Sequence, residues 1–315
     1  AFRKIEGQYS FLLESVEGGE KIARYSFLGV CKPAQRIKPR SFEDIRDLLK
    51  GYRTVKIPGL PRFHGGLVGY ISYDMVREIE PKLKRSDKNP DELKLPLMQF
   101  LLTDNILAFD HIRHRILIIA NPLISGDPNK AYRKACANID KLERQLRKPL
   151  KIGRSEMEIN PQKKPKLAVR SNYSRSGFMA MVQKAKQHIR AGDIIQVVLS
   201  QRFETAFASD PFNLYRALRV INPSPYMYFL TLGDLKIIGS SPEVMVRLEG
   251  RSATLRPIAG TRPRGRDEEE DRRLMEGLLK SSKEKAEHIM LVDLGRNDLG
   301  RVCDFGSVKV TEEMM

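Results

Sequence analysis

The sequence contains few of the residues and runs that mark disulfide-rich or fibrous proteins. Its 315 residues include only three cysteines, Cys31, Cys136 and Cys303, which lie far apart. This odd number and wide spacing exclude a disulfide framework and a CxxC metal site, and they are typical of proteins from a reducing cytosol. The 22 glycines and 18 prolines follow no period, which excludes a collagen-like chain.

Long hydrophobic runs are also missing. No apolar run approaches the roughly 20 residues that a membrane-spanning helix needs. Residues 1–7 carry Arg3, Lys4 and Glu6, where a secretion signal would be apolar. We therefore expect a cytoplasmic protein that does not bind membranes. Because 41% of the residues are hydrophobic, the chain has enough apolar material to fold.

Basic residues outnumber acidic ones. The chain has 56 Lys and Arg against 39 Asp and Glu, so its formal net charge is +17. A charge of this size ordinarily raises nucleic acid as a partner. The basic residues are spread along the chain, however, without an aromatic-interleaved basic motif or zinc-finger spacing, so we expect no nucleic-acid partner. A non-catalytic basic binding protein, for example an RNA-binding protein, stays open as an alternative.

The first half of the chain is predicted to be rich in strands. Ser41, with Asp44 three residues on, predicts the start of a capped helix. The apolar run that contains Gly65, Gly66 and Gly69 indicates a strand that another backbone or a ligand approaches closely. The predicted strands cover 9–15, 24–30, 63–73, 101–109 and 116–120, and a charged helix follows over 129–147.

The second half is predicted to contain longer helices and two hairpins. Gly192 stands where a helix ends, and Asp210 with Pro211 predicts the start of the next helix. The β-branched run over 194–199 predicts a strand that is buried on both faces. The hairpins are predicted over 226–239 and 244–255, the last two helices over 268–280 and 283–294, and the end of the last helix over 293–298.

These elements predict an α+β fold. Strands that are grouped together, with helices around them, favour a large layered fold of antiparallel β-sheets flanked by helices over a βαβ repeat. The polar, Pro-rich stretch from Lys148 predicts a linker, which we place at 151–168. It would separate an N-terminal region, 1–150, from a second region, 169–315.

Several polar positions are candidates for chemistry. Gln196, in an apolar strand, needs hydrogen-bond partners that either a polar ligand or neighbouring backbone would supply. Glu243, at a strand start, is either a rigidly held acid or a solvated turn residue. The loop that ends in Gly260 and Thr261 either binds a carboxylate or forms a tight turn. Glu287, on a helix, is a candidate Mg²⁺ ligand.

Two further groups of charged residues lie near these candidates in the sequence. Glu284 and His288 share a helix face with Glu287, although a lone histidine is more often structural and Mg²⁺ prefers oxygen ligands. The arginines that follow the loop are expected to face solvent. They are Arg262, Arg264 and Arg266.

The stretches that hold these residues resemble, in the same order, the chorismate-utilising enzymes, and within them the anthranilate synthase component I group. The similar stretches are 10–15, 24–29, 65–70, 192–203, 222–227, 239–243, 257–265 and 287–298. The resemblance covers nearly the whole chain. It implies the antiparallel α+β fold of that family, which we expect to be incomplete here at both ends.

The resemblance implies a catalytic role for three of the candidates. Glu243 matches the general acid that helps the C4 hydroxyl of chorismate leave while a nucleophile adds at C2. Glu287 matches a glutamate that holds Mg²⁺ against the ring carboxylate of chorismate. The loop that contacts this carboxylate matches Ala259, Gly260 and Thr261.

The resemblance also implies the nucleophile. Relatives that add water to the ring carry a lysine at the position of Gln196, and relatives that attack the ring covalently carry a lysine at the position of Ala259. Because this chain has neither lysine, we expect ammonia as the nucleophile and anthranilate as the product, which makes the protein a Mg²⁺-dependent lyase of tryptophan biosynthesis. Another chorismate aminase, such as aminodeoxyisochorismate or aminodeoxychorismate synthase, stays open as the alternative.

A partner and an inhibitor are implied in the same way. Family members take ammonia from a glutamine amidotransferase, and no Cys-His-Glu amidotransferase pattern is visible here. We therefore expect a separate subunit, component II, and a hetero-oligomer. Two stretches match the walls of a tryptophan feedback pocket, in which Tyr226 and Met227 are expected to pack the indole. The pocket residues are Leu13, Glu14, Ser15, Asn222, Pro223, Ser224, Pro225, Tyr226 and Met227.

The chain departs from the family pattern at its ends. Beyond the position of Met315 the family continues with a segment that carries a catalytic histidine, a second magnesium glutamate and a loop for the substrate carboxylates. We therefore expect the chain as given to hold only part of an active site and to be inactive on chorismate by itself.

Overall fold

The computed structural model describes residues 1–16, 24–55, 57–86, 91–150 and 167–312, with only the backbone of 84–86. The chain divides into two compact units, one formed by Ala1–Leu150 with Leu218–Met315 and the other by Lys151–Ala217. Residues from Leu218 onward thus belong to the same unit as the N-terminal region. Most of the predicted linker, residues 151–166, lies outside the described residues.

The described residues form antiparallel strands and helices, which confirms the predicted α+β class. The strands are β1 (Tyr9–Glu14), β2 (Tyr25–Val30), β3 (Arg36–Ile37), β4 (Gly66–Ile71), β5 (Met98–Thr103), β6 (Asn105–Asp110), β7 (Arg115–Ala120), β8 (Arg170–Ser171), β9 (Phe203–Glu204), β10 (Tyr226–Leu232), β11 (Leu235–Ser241), β12 (Arg247–Glu249) and β13 (Ser252–Thr254). The α-helices are α1 (Phe2–Ile5), α2 (Phe42–Lys50), α3 (Val76–Ile79), α4 (Pro128–Arg147), α5 (Arg175–Ala191), α6 (Pro211–Ile221), α7 (Glu268–Lys280) and α8 (Ser282–Gly300). Short 3₁₀ helices cover Pro33–Gln35, Tyr73–Met75 and Pro81–Ser86.

The main sheet of the first unit has six antiparallel strands in the order β11-β10-β1-β2-β6-β7. β1 pairs with β10 along its whole length, with Tyr9 opposite Leu232 and Glu14 opposite Met227. The predicted hairpin of β10 and β11 is confirmed, and it turns at Gly233, whose φ of 80° favours glycine. An N-terminal strand is therefore held inside the sheet by a strand from the second half of the sequence.

The core of this unit combines side chains from the main sheet and from a three-stranded sheet, β3-β5-β4. Phe11 of β1, Leu101 of β5 and Ile106 of β6 are fully buried and belong to one apolar cluster. Burial of a side chain of this size stabilises the fold by about 1.5–3 kcal/mol. The two sheets are thus joined through their apolar faces.

β4 and β5 approach each other closely at Gly69, as the glycine-rich sequence predicts. Gly69 lies opposite Phe100 in the antiparallel register. A Cβ atom at Gly69 would overlap the carbonyl oxygen of Gln99 and would lie 2.7 Å from the Cα of Phe100. Only glycine leaves room for this backbone contact.

The helix ends follow the predicted capping residues. Ser41 Oγ accepts from the Asp44 N–H at 3.1 Å, and Asp44 Oδ2 accepts from the Ser41 N–H at 3.2 Å, which completes the capping box of α2. Gly192 ends α5 with a φ of 79°, and Asp210 Oδ1 accepts from the Phe212 N–H at the start of α6. Within the described ranges, none of the helices combines the length and apolar character that a bilayer-spanning segment requires.

Two predicted strands are wrong. The run over 101–109 forms two strands, because the chain bends at Asp104 between β5 and β6. The run over 194–199 is irregular backbone instead of a buried strand, and Ile195 and Val198 are 79% and 86% exposed. In the described part of its unit, the only strands are the two-residue pair β8 and β9, so the run has no strand to pair with.

The predicted end of the last helix is also wrong. α8 continues through Gly295 to Gly300. Gly295 lies against the Leu255 side chain, 3.4 Å from the position of a Cβ atom. This packing keeps the glycine helical, since tertiary contacts override its low helix propensity.

A buried carboxylate joins β2 to the turn after β6. Asp110 is 1% exposed, and the Arg24 guanidinium donates to both of its oxygens, at 3.3 Å to Oδ1 and 3.1 Å to Oδ2. The Arg113 N–H also donates to Oδ1, at 3.2 Å. These hydrogen bonds, the Arg24 pair above all, hold the pKa of Asp110 below its usual value of 3.8.

Gly69→Ala is expected to destabilise the protein by about 1–3 kcal/mol, because the added methyl group must displace the backbone of β5. Gly277→Ala, on α7, is the matched control, since a Cβ atom there meets nothing within 4 Å. That control is expected to stabilise by about 0.5–1 kcal/mol. Urea unfolding measures both variants, and wild-type stability in Gly69→Ala would contradict the close approach of β4 and β5.

Asp110→Asn is expected to lower the free energy of unfolding at neutral pH, because it removes the charge that Arg24 binds. Since the folded-state pKa of Asp110 lies below 3.8, its stabilising contribution is complete above the unfolded-state pKa and is lost as the pH falls through the folded-state pKa. Unfolding of both proteins between pH 7 and pH 2 checks this. A stability difference that stays constant to the acid limit would show that the charge of Asp110 is unimportant.

Candidate functional site

A cavity of about 350 Å³ in the first unit brings several predicted site residues together. Three segments form its walls: the turn after β11, the loop after β13, and the facing ends of α7 and α8. The start of β10 completes it. The lining residues are Pro225, Tyr226, Pro242, Glu243, Val244, Arg256, Pro257, Ile258, Ala259, Gly260, Leu278, Leu279, Glu284, Lys285 and His288.

Glu243 is held at this cavity by its neighbours. β11 ends at Ser241, whose Oγ donates to the Glu243 carbonyl oxygen at 2.9 Å and so forms a tight turn. The Ile258 N–H donates to Glu243 Oε1 at 3.1 Å. No described residue donates to Oε2. The carboxylate is therefore fixed through one oxygen and open through the other.

Gly260 is packed directly against α8. A Cβ atom at Gly260 would overlap Glu284 Oε2 and would lie 2.8 Å from the Leu278 side chain. Ala259 and Gly260 both line the cavity. The next residue, Thr261, is exposed and is absent from the lining. The loop thus presents small side chains and backbone to the cavity, as binding of a carboxylate requires.

The arginines after the loop bind acidic residues, yet the side chains of Arg264 and Arg266 are 92% and 91% exposed, as predicted, whereas that of Arg262 is only 35% exposed. Arg262 binds Glu284, and the other two pairs are Arg264 with Asp271 and Arg266 with Glu270. The Gly265 N–H, followed by the Arg264 side chain, lowers the pKa of Asp271, and the backbone and side chain of Arg266 lower that of Glu270. The acidic first turns of α7 and α8 were the sequence signal for these pairs.

Two other basic residues at the cavity are left without ion pairs. Arg256 and Lys285 belong to the lining, and neither has an ion-pair partner among the described residues. The cavity thus has two unpaired cations and one unpaired carboxylate, that of Glu243, among the described residues. Such a lining attracts an anionic ligand.

Glu287 lies on α8, three residues after the cavity residue Glu284. It is half-buried, and its side chain makes no hydrogen bond or ion pair with the described residues. A second cavity, of about 450 Å³, begins one turn further along α8 at Leu291 and also touches Glu243. Glu287 is thus placed on the face of α8 between the lining residues of two adjoining cavities.

The donor atoms near this face fit a hard cation with few protein ligands. In the described ranges, no three His, Cys, Asp or Glu side chains gather into a metal-binding cluster. Mg²⁺ is usually held by only one or two protein carboxylates, with substrate oxygens and water completing its shell. Glu287, a carboxylate without another partner, fits that requirement.

The two stretches of the predicted feedback pocket lie side by side. Glu14, at the end of β1, is opposite Met227 of β10 and forms an ion pair with Arg219 at 3.2 Å. Ser224 is buried, and its Oγ accepts from Ser240 Oγ at 2.7 Å. The strand pairing therefore brings together residues that are far apart in the sequence.

Tyr226 and Met227 face opposite sides of β10, while their role in binding an indole stays a prediction. Neighbouring residues of a strand point to opposite faces of the sheet. Met227 is 1% exposed, whereas Tyr226 lines the cavity with Glu243. Tyr226 Oη also accepts from Arg247 at 3.2 Å.

Gln196 belongs to the Lys151–Ala217 unit, where it is exposed in irregular backbone. Its predicted burial in a strand is therefore wrong, while its catalytic role stays a prediction. Of the other candidates, Glu243, Ala259 and Gly260 share the cavity of the first unit, whereas Thr261 and Glu287 are not among its lining residues.

Met227→Ala is expected to cost about 2–5 kcal/mol, because it leaves a hole in the core. Tyr226→Phe removes only a hydroxyl at the cavity and is expected to change the free energy of unfolding by less than about 0.5 kcal/mol. Urea unfolding of the two variants measures the difference. Equal effects would mean that the two side chains do not face opposite sides of β10.

Comparison with known proteins identifies relatives along almost the whole chain. A sequence model described as chorismate binding enzyme matches residues 9–315. Anthranilate synthase component 1 of Acetivibrio thermocellus is 45% identical over 98% of this chain, and that of Pseudomonas aeruginosa is 42% identical over 97%. The chain spans 66% and 65% of the lengths of these two relatives.

Solved structures with the same fold agree with this match. Anthranilate synthase component I from Streptococcus pneumoniae superposes with a TM-score of 0.77 at 33% identity, over 92% of this chain and 64% of that chain. MenF, the menaquinone-specific isochorismate synthase from Escherichia coli, superposes with a TM-score of 0.58 at 13% identity, over 95% of this chain and 60% of that chain, and shows the fold alone. Since the family match extends over residues 9–315, the chain belongs to the chorismate binding enzyme family.

Proposed function

We propose that this protein is the aminating subunit, component I, of an anthranilate synthase. The observation that carries the proposal is the single cavity at which Glu243, Ala259 and Gly260 meet the Glu284–His288 face of α8. The curated relatives named above, which are anthranilate synthases, support it. The proposed reaction converts chorismate and ammonia to anthranilate, pyruvate and water.

Glu243 is the proposed general acid. Its Oε1 is occupied by the Ile258 N–H, so Oε2 carries the proton that the C4 hydroxyl takes as it leaves as water. Ammonia adds at C2 as this hydroxyl departs. Loss of the C2 proton and of the enolpyruvyl group from C3 then gives the aromatic ring and pyruvate.

The loop and the unpaired cations are proposed to hold the substrate. Backbone at Gly260, with Thr261 beside it just outside the lining, receives the ring carboxylate, and the cations Arg256 and Lys285 at the cavity attract this dianion. Glu287 is the proposed ligand for Mg²⁺, which when bound neutralises the ring carboxylate. These residues orient the ring so that C4 faces the acid.

Two side chains favour ammonia over other nucleophiles. Ala259 lines the cavity with a methyl group, so no amine of the protein stands at that position. Gln196 carries an amide, which cannot take a proton from water. Ammonia is therefore the proposed nucleophile. The name of the curated relatives, component 1, supports a second component, and we propose that this is a glutamine amidotransferase subunit that supplies the ammonia.

The paired ends of β1 and β10 are the proposed tryptophan site. Leu13, Glu14 and Ser15 form one wall, and the stretch Asn222–Met227 forms the other. The Glu14 carboxylate, which forms an ion pair with Arg219, is the proposed acceptor for the amino group of the inhibitor. Tyr226 belongs both to this stretch and to the wall of the catalytic cavity. A bound inhibitor that shifts Tyr226 would therefore change the shape of the cavity directly.

Glu243→Gln is expected to reduce anthranilate formation about 10²–10⁴-fold, because the amide keeps an acceptor for Ile258 but has no acidic proton to give. The measurement is the fluorescence of anthranilate formed from chorismate, ammonia and Mg²⁺ by the full-length protein. Glu276→Gln, at an exposed position of α7, is the matched control and is expected to keep wild-type activity.

Further outcomes of the same assay separate the alternatives. Glu287→Gln is expected to raise the Mg²⁺ concentration required, and product formation that survives this change unaltered would count against the proposal. Mass spectrometry identifies the product. A product that keeps the pyruvyl ether would instead assign the protein to the other chorismate aminases, the aminodeoxyisochorismate and aminodeoxychorismate synthases.

A further inference from the structure

Arg262 connects the cavity loop to α8 through one nitrogen. Its Nη1 donates to the Thr261 carbonyl oxygen at 2.9 Å and to Glu284 Oε1 at 3.2 Å. The side chains of Arg262 and Glu284 are 35% and 18% exposed. This partial burial makes the ion pair stronger than one in free solution.

The other oxygen of the same carboxylate lies against Gly260. A Cβ atom at that position would overlap Glu284 Oε2. Glu284 is therefore in contact with the loop on both sides, at Gly260 through packing and at Arg262 through charge. If Arg262 were removed, the packing contact alone would hold this segment on α8.

A fixed backbone matters here because the loop lines the cavity. Backbone groups that bind a carboxylate weaken binding if they become ordered only when the ligand arrives, because the loss of conformational entropy then reduces the binding free energy. The loop after β13 has no regular secondary structure between Leu255 and the start of α7. Its order thus depends on side-chain contacts such as the Glu243 and Glu284 interactions.

We propose that Arg262 is a positioning residue, which holds the segment Ala259–Thr261 on α8 through Glu284 so that its backbone is ready to bind the ring carboxylate. Arg262 itself does not line the cavity. That the bound carboxylate belongs to chorismate rests on the proposed function. That Arg262 keeps the loop ordered does not depend on it. The guanidinium presents both protons of Nη1 in a fixed plane, whereas a lysine at this position would keep the charge without that fixed geometry.

The test compares Arg262→Met with Arg262→Lys in the protein as it is encoded in full. Hydrogen exchange of the peptide 256–262, measured without ligand, is expected to be about tenfold faster or more at Ile258 in Arg262→Met, because a loosened loop releases the Ile258 N–H from the charged Glu243 carboxylate. The KM for chorismate is expected to rise by a similar factor, with kcat changing less. Arg262→Lys is expected to lie between wild type and Arg262→Met in both measurements.

Arg264→Met is the matched control, because Arg264 is in the same loop and also binds an acidic residue, yet lies outside the cavity lining. It is expected to leave exchange in 256–262 and the KM unchanged. Wild-type exchange and KM in Arg262→Met would overturn the proposal, as would equal effects of the two methionine variants. If Arg262→Met does not fold, Arg262→Lys is the deciding variant. Faster exchange and a higher KM than in the wild type would support the proposal, and wild-type values of both would contradict it.

The exchange measurement separates this proposal from the proposed function. Faster exchange in Arg262→Met, together with a wild-type protein that forms no anthranilate, would refute the function and support the positioning role. Unchanged exchange in Arg262→Met, together with normal anthranilate formation by the wild type, would refute the positioning role and support the function.

Discussion

The antiparallel pairing of β1 with β10 is the constraint on which the cavity depends. It places Glu14 opposite Met227 and so fixes the register of β10 at the point where this strand begins. Because side chains alternate along a strand, burial of Met227 obliges Tyr226 to face the other side, where it lines the cavity. A slip of one residue would exchange the two side chains and remove this wall of the site.

Elements that are set by local interactions could be predicted from the sequence. The capping box of Ser41 and Asp44, the left-handed Gly192 and the turn at Gly233 each involve only a few consecutive residues. The close approach at Gly69 was also predictable, since a glycine inside an apolar strand often marks a place where another backbone comes near. The α+β class followed from the grouping of these elements.

Features that require a distant partner could not be predicted in this way. The β-branched run at 194–199 has the composition of a buried strand, yet burial needs neighbouring strands, which the described part of its unit does not supply. Gly295 has the low helix propensity of a stop signal, but its packing against Leu255 keeps α8 intact. In the site, family resemblance identified Glu243 and Gly260. The contact between Gly260 and Glu284 could be found only from the structure, because the two residues are far apart in the sequence.

The loop after β13 shows how short-range charge interactions shape an irregular segment. Its arginines bind carboxylates from the first turns of α7 and α8, where acidic residues also favour the positive end of the helix dipole. Each carboxylate thus stabilises a helix start and fixes the loop at once. Because these arginines are neutralised in pairs, the unpaired positive charge of the lining comes from Arg256 and Lys285. The basic side chains around the cavity thus form two groups, those that bind carboxylates of α7 and α8 and those, Arg256 and Lys285, that have no ion-pair partner among the described residues.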